Sequence, residues 1–268
     1  MLSSVPMDAP VGFFDSGVGG LSVARAFRTL APGERILYFA DTAWFPYGGR
    51  PPAEVRKRAF AAAHALIAGG AKLIVVACNT ASAVALADLR AAFPVPFVGM
   101  VPGLKPATAQ TRTGVVLVLA TPNTLDGELF RRVQAEYGSG VEVRAVAGHG
   151  LAELVEQGLA GTAQARAALR AILGRHVAAG ADVVVLGCTH YHFLAADIRA
   201  LFPGVAVVDT SEAVARRAVA VLEEQDLTNG GGAPAPVELL ASGPLQRLEA
   251  VARRLVPEFF PTVAETRA

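Results

Sequence analysis

The sequence predicts an α/β protein: two similar domains of mainly parallel sheet flanked by helices, with an active site in the cleft between them. Three observations carry this. Near-continuous apolar runs rich in β-branched residues alternate with helical stretches along the chain, the pattern of parallel sheet covered on both faces. One junction occurs twice, as Val75-Val76-Ala77-Cys78-Asn79-Thr80 and as Val184-Val185-Leu186-Gly187-Cys188-Thr189, each leading into a helical pattern. No low-complexity linker separates the two series. Residues 1–99 and 209–268 are therefore expected to form the first domain, carrying Asp15 and Cys78. Residues 100–208 should form the second, carrying Cys188 and His190.

Taken in order, Val11 to Phe14 reads as a strand, followed by the turn Asp15-Ser16-Gly17-Val18-Gly19-Gly20 and a helix from Leu21 to Leu30. The glycines allow positive φ and let a ligand approach the backbone. A phosphate loop is excluded, because there is no Walker lysine and Gly-Val-Gly-Gly does not fit G-x-G-x-x-G. Asp15 is open to two readings, a functional carboxylate or a turn former and N-cap. Ile36 to Ala40 is the second strand, and the Pro- and Gly-bearing loop Trp44-Phe45-Pro46-Tyr47-Gly48-Gly49 suggests a cover over a pocket. Pro52 opens a helix that runs to Ala68, since its missing N–H costs nothing in the first turn. Strand Leu73 to Ala77 leads to Cys78, helix Thr80 to Ala91 follows, and Pro96 to Gly99 is a short strand.

The second series repeats the plan. Leu104 to Gln110 is helical and Gly114 to Leu119 a strand. Thr121-Pro122-Asn123-Thr124 opens a helix running through Tyr137, and Val141 to Val146 is a strand. Helices are expected over Leu151 to Leu159 and Gln164 to Ala178, with strand Val183 to Leu186 ahead of Cys188. Residues 190 to 201 read as a helix, Val205 to Val208 as a strand, and Glu212 to Glu224 as a helix. Asn229 to Gly232 is a turn, and Val237 to Ala241 with Leu245 to Leu255 closes the chain.

A net charge of +1 gives no reason to expect nucleic acid or an anionic membrane as partner. The chain is 53% hydrophobic, yet no uncharged stretch approaches the roughly 20 apolar residues of a membrane span. With no basic segment before an apolar core, no signal peptide is expected. Two cysteines do not make a disulfide framework, so a cytoplasmic protein with reduced thiols is expected.

A strand's carboxyl end followed by a helix start is where open α/β sheets place ligands. A thiol there lies at the positive end of a helix dipole, which favours the thiolate. The plainer alternative is a pair of buried structural cysteines, but the matched contexts favour chemistry. Two thiols facing across a cleft could remove a proton from one face of a carbon and deliver one to the other, which inverts the centre. His190 is the natural partner for Cys188, and Asp15 a plausible one for Cys78. Cys188-x-His190-x-His192 does not suit a metal, because residues i and i+2 project differently on a helix and no further ligand cluster appears. A Cys/His hydrolase leaves the second cysteine unexplained. Pyridoxal phosphate needs a Schiff-base lysine, and Lys57, Lys72 and Lys105 do not follow strand ends. Chemistry without a cofactor or metal is the expectation.

Gly12-Phe13-Phe14-Asp15-Ser16-Gly17-Val18-Gly19-Gly20, Asp41-Thr42 with Pro46-Tyr47-Gly48, Ala77-Cys78-Asn79-Thr80-Ala81 and Gly187-Cys188-Thr189-His190-Tyr191 together resemble the glutamate racemases of the aspartate/glutamate racemase superfamily. The likeness runs in order from about residue 11 to 225. It implies cofactor-independent racemisation of glutamate by two thiols, supplying D-glutamate for peptidoglycan. By motif, Cys78 and Cys188 would be the acid/base pair, assisted by Asp15 and His190. Cys78 would act on D-glutamate and Cys188 on L-glutamate. Ser16, Pro46, Tyr47, Gly48, Asn79, Thr80, Thr121 and Thr189, with the four catalytic residues, would bind the substrate. Glu156 matches a family glutamate on the Cys188 side. Glutamate is the implied partner, and a homodimer is compatible with the resemblance. This chain departs from the family pattern at Ala40, at Ala43-Trp44-Phe45, at Gly148-His149, and at His192, where proline is usual.

Overall fold

The computed structural model describes residues 6–231 and 233–260. The first sheet is built from β1 (Val11–Asp15), α1 (Leu21–Leu30), β2 (Ile36–Ala40), α2 (Pro52–Ala68), β3 (Leu73–Val76), α3 (Asn79–Ala92) and β4 (Phe97–Gly99). The chain then runs through α4 (Leu104–Gln110), β5 (Val115–Ala120), α5 (Pro122–Leu125), α6 (Glu128–Tyr137), β6 (Glu142–Ala147), α7 (Leu151–Glu156), α8 (Ala163–Ala178) and β7 (Val183–Gly187). A 3₁₀ turn over Thr189–Leu194, α9 (Ala195–Leu201), β8 (Ala206–Val208), α10 (Ser211–Glu224), β9 (Val237–Ala241) and α11 (Leu245–Leu255) follow.

Two separate sheets result, ordered β4-β3-β1-β2-β9 and β6-β5-β7-β8, and every strand pair is parallel. β8 stays with the second sheet, while α10 packs on α1 and β9 joins β2, so the chain returns to the first sheet after β8. The central strands are nearly all apolar because both faces are covered: β1, β2, β3 and β7 are buried along their whole length, whereas the edge strands β6 and β9 carry charged residues and are partly exposed. One apolar layer is shared, running from Phe13, Leu21 and Phe27 through Leu117, Leu119 and Tyr191 to Val214. The outer layer under α2 and α3 belongs to the first sheet alone, and that under α4 and α6 to the second alone. Burying a side chain such as Phe27 contributes about 2–3 kcal/mol, so the shared layer binds the halves firmly away from the strand tips. No helix among the described residues is long and apolar enough to cross a membrane.

Three expectations change. The helix expected from Thr121 to Tyr137 breaks into α5 and α6, because Gly127 adopts extended backbone between them. The stretch 190 to 201 starts as a 3₁₀ turn and becomes α-helical only at Ala195; Thr189 to His192 are all buried, and their polar partners outweigh local helix preference. α7 stops at Glu156 rather than Leu159, because Gly158 takes a positive φ of 70° and Leu159 N–H turns back to Leu154 O. The expected turn at Asn229 to Gly232 falls partly outside the described residues.

Candidate active site

In the first sheet the chain leaves β1 toward β2 on one side and β3 on the other, so a crevice opens at the carboxyl ends of β1 and β3. Asp15 and Cys78 stand there. In the second sheet β5 lies between β6 and β7, and the equivalent crevice carries Thr121 and Cys188. The two crevices meet in one cavity of about 20 Å³ whose wall includes Ser16, Pro46, Tyr47, Gly48, Cys78, Asn79, Thr80, Thr121, Cys188, Thr189 and His190. Phe45 and Ala152 complete it. Such a space takes about one water molecule, so a small organic acid reaches the thiols only when part of the wall moves. The wall contains no lysine or arginine; its donors are hydroxyls, the Asn79 amide, the two thiols, the His190 imidazole and backbone N–H groups.

Cys78 is the residue ahead of α3. Burial and then the nearby Asp15 carboxylate push its thiol well above the ordinary cysteine range, against hydrogen bonding from the backbone of Ala81 and Ser16. Next to it, both ends of the buried Asn79 amide lack hydrogen-bonding partners. Each such group costs about 1–3 kcal/mol, a cost consistent with a wall built to receive a polar ligand.

Cys188 Sγ lies 3.9 Å from His190 Nδ1. The other ring nitrogen, Nε2, is 2.8 Å from Glu156 Oε1, and Asp15 Oδ1 is 4.0 Å from Nδ1. Burial alone would lower the imidazole; Asp15, the Cys188 sulfur and Glu156 outweigh it and hold His190 well above its ordinary value. The protonated ring therefore donates from Nε2 to Glu156 and presents Nδ1–H to the sulfur. Asp15 is fully buried and accepts from Gly17 N–H at 2.8 Å and Thr189 Oγ1 at 2.9 Å. Burial pushes its carboxyl up, against His190 and these hydrogen bonds. The turn-former reading of Asp15 is met by its hydrogen bond from Gly17 N–H. Neither Asp15 nor Glu156 lines the cavity wall; Asp15 touches Thr189, and Glu156 touches His190, both of which do.

Of the two uses expected of the first-turn glycines, positive φ is not taken, and at Gly17 and Gly19 close packing accounts for the missing side chain. Gly17, Gly19 and Gly20 do not take positive φ. A Cβ on Gly17 would overlap the Glu156 carboxylate, and one on Gly19 would overlap the His190 ring. The missing side chains make room for residues of the other half, and Val18 N–H donates to Glu156 Oε1 at 2.7 Å.

The cover runs from Asp41 to Arg50. Tyr47 Oη donates to Asp41 Oδ2 at 2.6 Å, and Arg58 grips the same buried carboxylate through both oxygens. Burial would raise Asp41, but the Arg58 and Tyr47 hydrogen bonds bring it below the usual carboxylate range. Across the cleft, Asn123 Nδ2 donates to Tyr47 O and Arg50 O, and Thr80 Oγ1 meets Thr121 Oγ1 at 2.9 Å. The Phe45 ring packs 5.3 Å from His190. Trp44, the chain's single tryptophan, has the guanidinium groups of Arg50 and Arg58 within 5.3 and 4.9 Å of its ring and is 37% exposed. Sequence reasoning missed Arg58, Asn123 and Ala152. The Asp41-Thr42 motif was the one signal for Arg58; Asn123 and Ala152 gave none.

A profile of the Asp/Glu/Hydantoin racemase family matches residues 21–218. The glutamate racemase of Roseiflexus sp. (strain RS-1) is 51% identical over 220 residues, covering 81% of each chain. Glutamate racemase from Thermus thermophilus, solved with β-chloro-D-alanine, superposes with a TM-score of 0.80 at 39% identity, covering 93% of this chain and 94% of that one. Escherichia coli glutamate racemase, solved with L-glutamate and the activator UDP-MurNAc-ala, gives 0.79 at 34% identity with the same coverage.

Proposed function

The chain belongs to the Asp/Glu/Hydantoin racemase family, and from that premise we propose that it interconverts L- and D-glutamate with Cys78 and Cys188 as its two acid/base groups. The observation that carries this is the placement of both thiols on the wall of one small cavity, each from the switch point of a different sheet. Only opposed groups can serve opposite faces of one carbon.

The Cys188 thiolate takes the α-proton of L-glutamate, and the Cys78 thiol then delivers one to the opposite face of the carbanion; D-glutamate runs the reverse. His190 carries a proton to or from Cys188. Asp15 fixes Thr189 and shares the charge of His190 with Glu156. Ser16, Asn79, Thr80, Thr121 and Thr189 hold the carboxylates and amino group, helped by backbone N–H groups at the start of α3. Pro46, Tyr47 and Gly48 close over the substrate. None of the three lysines lines the cavity, and Lys72 pairs at 2.7 Å with Glu34 away from it, which supports a reaction without pyridoxal phosphate. The two sheets support assigning residues 1–99 and 209–268 to one domain and 100–208 to the other. We place the enzyme in the cytoplasm, as a homodimer, supplying D-glutamate for peptidoglycan.

Circular dichroism of the purified protein with L-glutamate, then D-glutamate, after dialysis against chelator and carbonyl reagents tests the reading. Both signals should decay to zero. Turnover that returns only with zinc or pyridoxal phosphate would overturn it.

A further inference from the structure

His192 has no place in the chemistry above, yet its side chain is wholly buried and held on one edge. Nδ1 lies 2.9 Å from Ser22 Oγ and 2.6 Å from Ser211 Oγ, with Asp209 Oδ1 at 3.5 Å. Ser22 Oγ already donates to Gly19 O at 2.9 Å, which leaves its lone pair free to accept from a ring proton on Nδ1. Nε2 is buried without a partner, and burial holds the imidazole below its ordinary value, hence neutral.

The partners come from three places. Ser22 is in α1, one turn after Gly19, whose backbone abuts the His190 ring. Ser211 opens α10 where the chain leaves β8 for the first sheet. His192 shares the 3₁₀ turn with Thr189 and His190. The hydrogen bonds therefore pin the turn bearing His190 to two helices that pack on each other beside the first sheet, α1 and α10. His190 needs such pinning, because its 3.9 Å approach to Cys188 is already at the limit of a hydrogen bond to sulfur. Displacements of about 1 Å in catalytic groups cost on the order of 100-fold.

We propose that His192 is a positioning residue that, through Nδ1–H, holds the Thr189–Leu194 turn so that His190 faces Cys188, and thereby sets the rate of proton transfer at Cys188 and not at Cys78. This rests on the two-thiol reading.

Rates alone do not separate the two sides, because enantiomers are equally stable and kcat/KM must change equally in both directions. Primary isotope effects do separate them. When transfer at Cys188 becomes the slower step, α-deuterated substrate shows a larger effect in the direction where Cys188 removes the label. The effect shrinks in the direction where Cys188 delivers a solvent proton. Isotope effects do not depend on how much of the enzyme is folded, so a merely structural role leaves them unmoved.

The test uses the full chain with α-deuterated L- and D-glutamate. His192→Phe should lower kcat about 10- to 100-fold with little change in KM, raise the isotope effect for one enantiomer relative to wild type, and lower it for the other. His192→Asn, which keeps a donor near the Nδ1 position, should restore the wild-type pattern. If the Phe variant is insoluble, Ser22→Ala and Ser211→Ala should give the same split. Isotope effects that stay at wild-type values, or shift in parallel for both enantiomers, overturn the role of His192 alone. A Cys78→Ser variant that still racemises overturns the two-thiol reading and this proposal with it.

Discussion

Cys78 and Cys188 occupy matching strand ends, but their surroundings differ in kind. Cys78 leads into a 14-residue helix and is tuned by burial, a neighbouring negative charge and backbone N–H groups. Cys188 leads into a short 3₁₀ turn and faces an imidazole backed by two carboxylates. One side is governed by fixed backbone dipoles, the other by a chain of titratable groups. A symmetric reaction therefore runs on asymmetric machinery, and the two sides should answer differently to mutation and to pH.

The largest effect should come from the thiols. Cys78→Ser and Cys188→Ser should each lower racemisation by about 10³-fold or more, since serine does not readily give up its proton near neutral pH. The comparison breaks if either variant racemises at close to the wild-type rate. It sharpens if each keeps α-proton exchange for one enantiomer, and the opposite one, when deuterium uptake is followed by NMR.

Next is Arg58→Met, which leaves Asp41 buried behind the Cys78 side of the wall. Losing one partner of a buried pair costs about 3 kcal/mol. Asp41 is held below its ordinary value, so its pairing stabilises above the unfolded carboxylate range and is lost as pH falls through the folded value. Denaturant melts should show a full gap between wild type and variant at about pH 7 that closes under acid. A gap that is the same at both pH values would remove Asp41 from the account.

Glu156→Gln, on the Cys188 side, should be milder, at about 2 kcal/mol for a lost charged hydrogen bond. His190 is held above its ordinary value, so the pairing contributes fully below about pH 6.5 and fades as pH rises through the folded value. The two variants should thus lose stability in windows that close at opposite ends of the pH scale. Urea melts across that range would detect a Glu156→Gln gap that fails to narrow in alkali.

The strand-to-cysteine junction was legible because it is local and occurs twice, and parallel strands buried on both faces give unbroken apolar runs. Cys78, Cys188, His190 and most of the wall lie within such junctions or in the loop marked by Pro46 and Gly48. What stayed hidden was contact between distant segments. Val18 and Glu156 are 138 residues apart, and Ser22 and His192 are 170 apart. Nothing in the turn 15–20 says that its glycines admit a carboxylate and an imidazole from the other half. Positive φ was the natural expectation there, and close packing across the cleft was the answer.

Trp44 gives the molecule a built-in optical probe. It is the only indole in the chain, it stands on the cover next to Phe45 of the cavity wall, and two guanidinium groups lie close to its ring. Indole emission is sensitive to neighbouring cations and to solvent, and no second tryptophan dilutes the signal. Any movement of the cover that admits a substrate should disturb these cation contacts, so the fluorescence of the unlabelled protein should report the opening in real time.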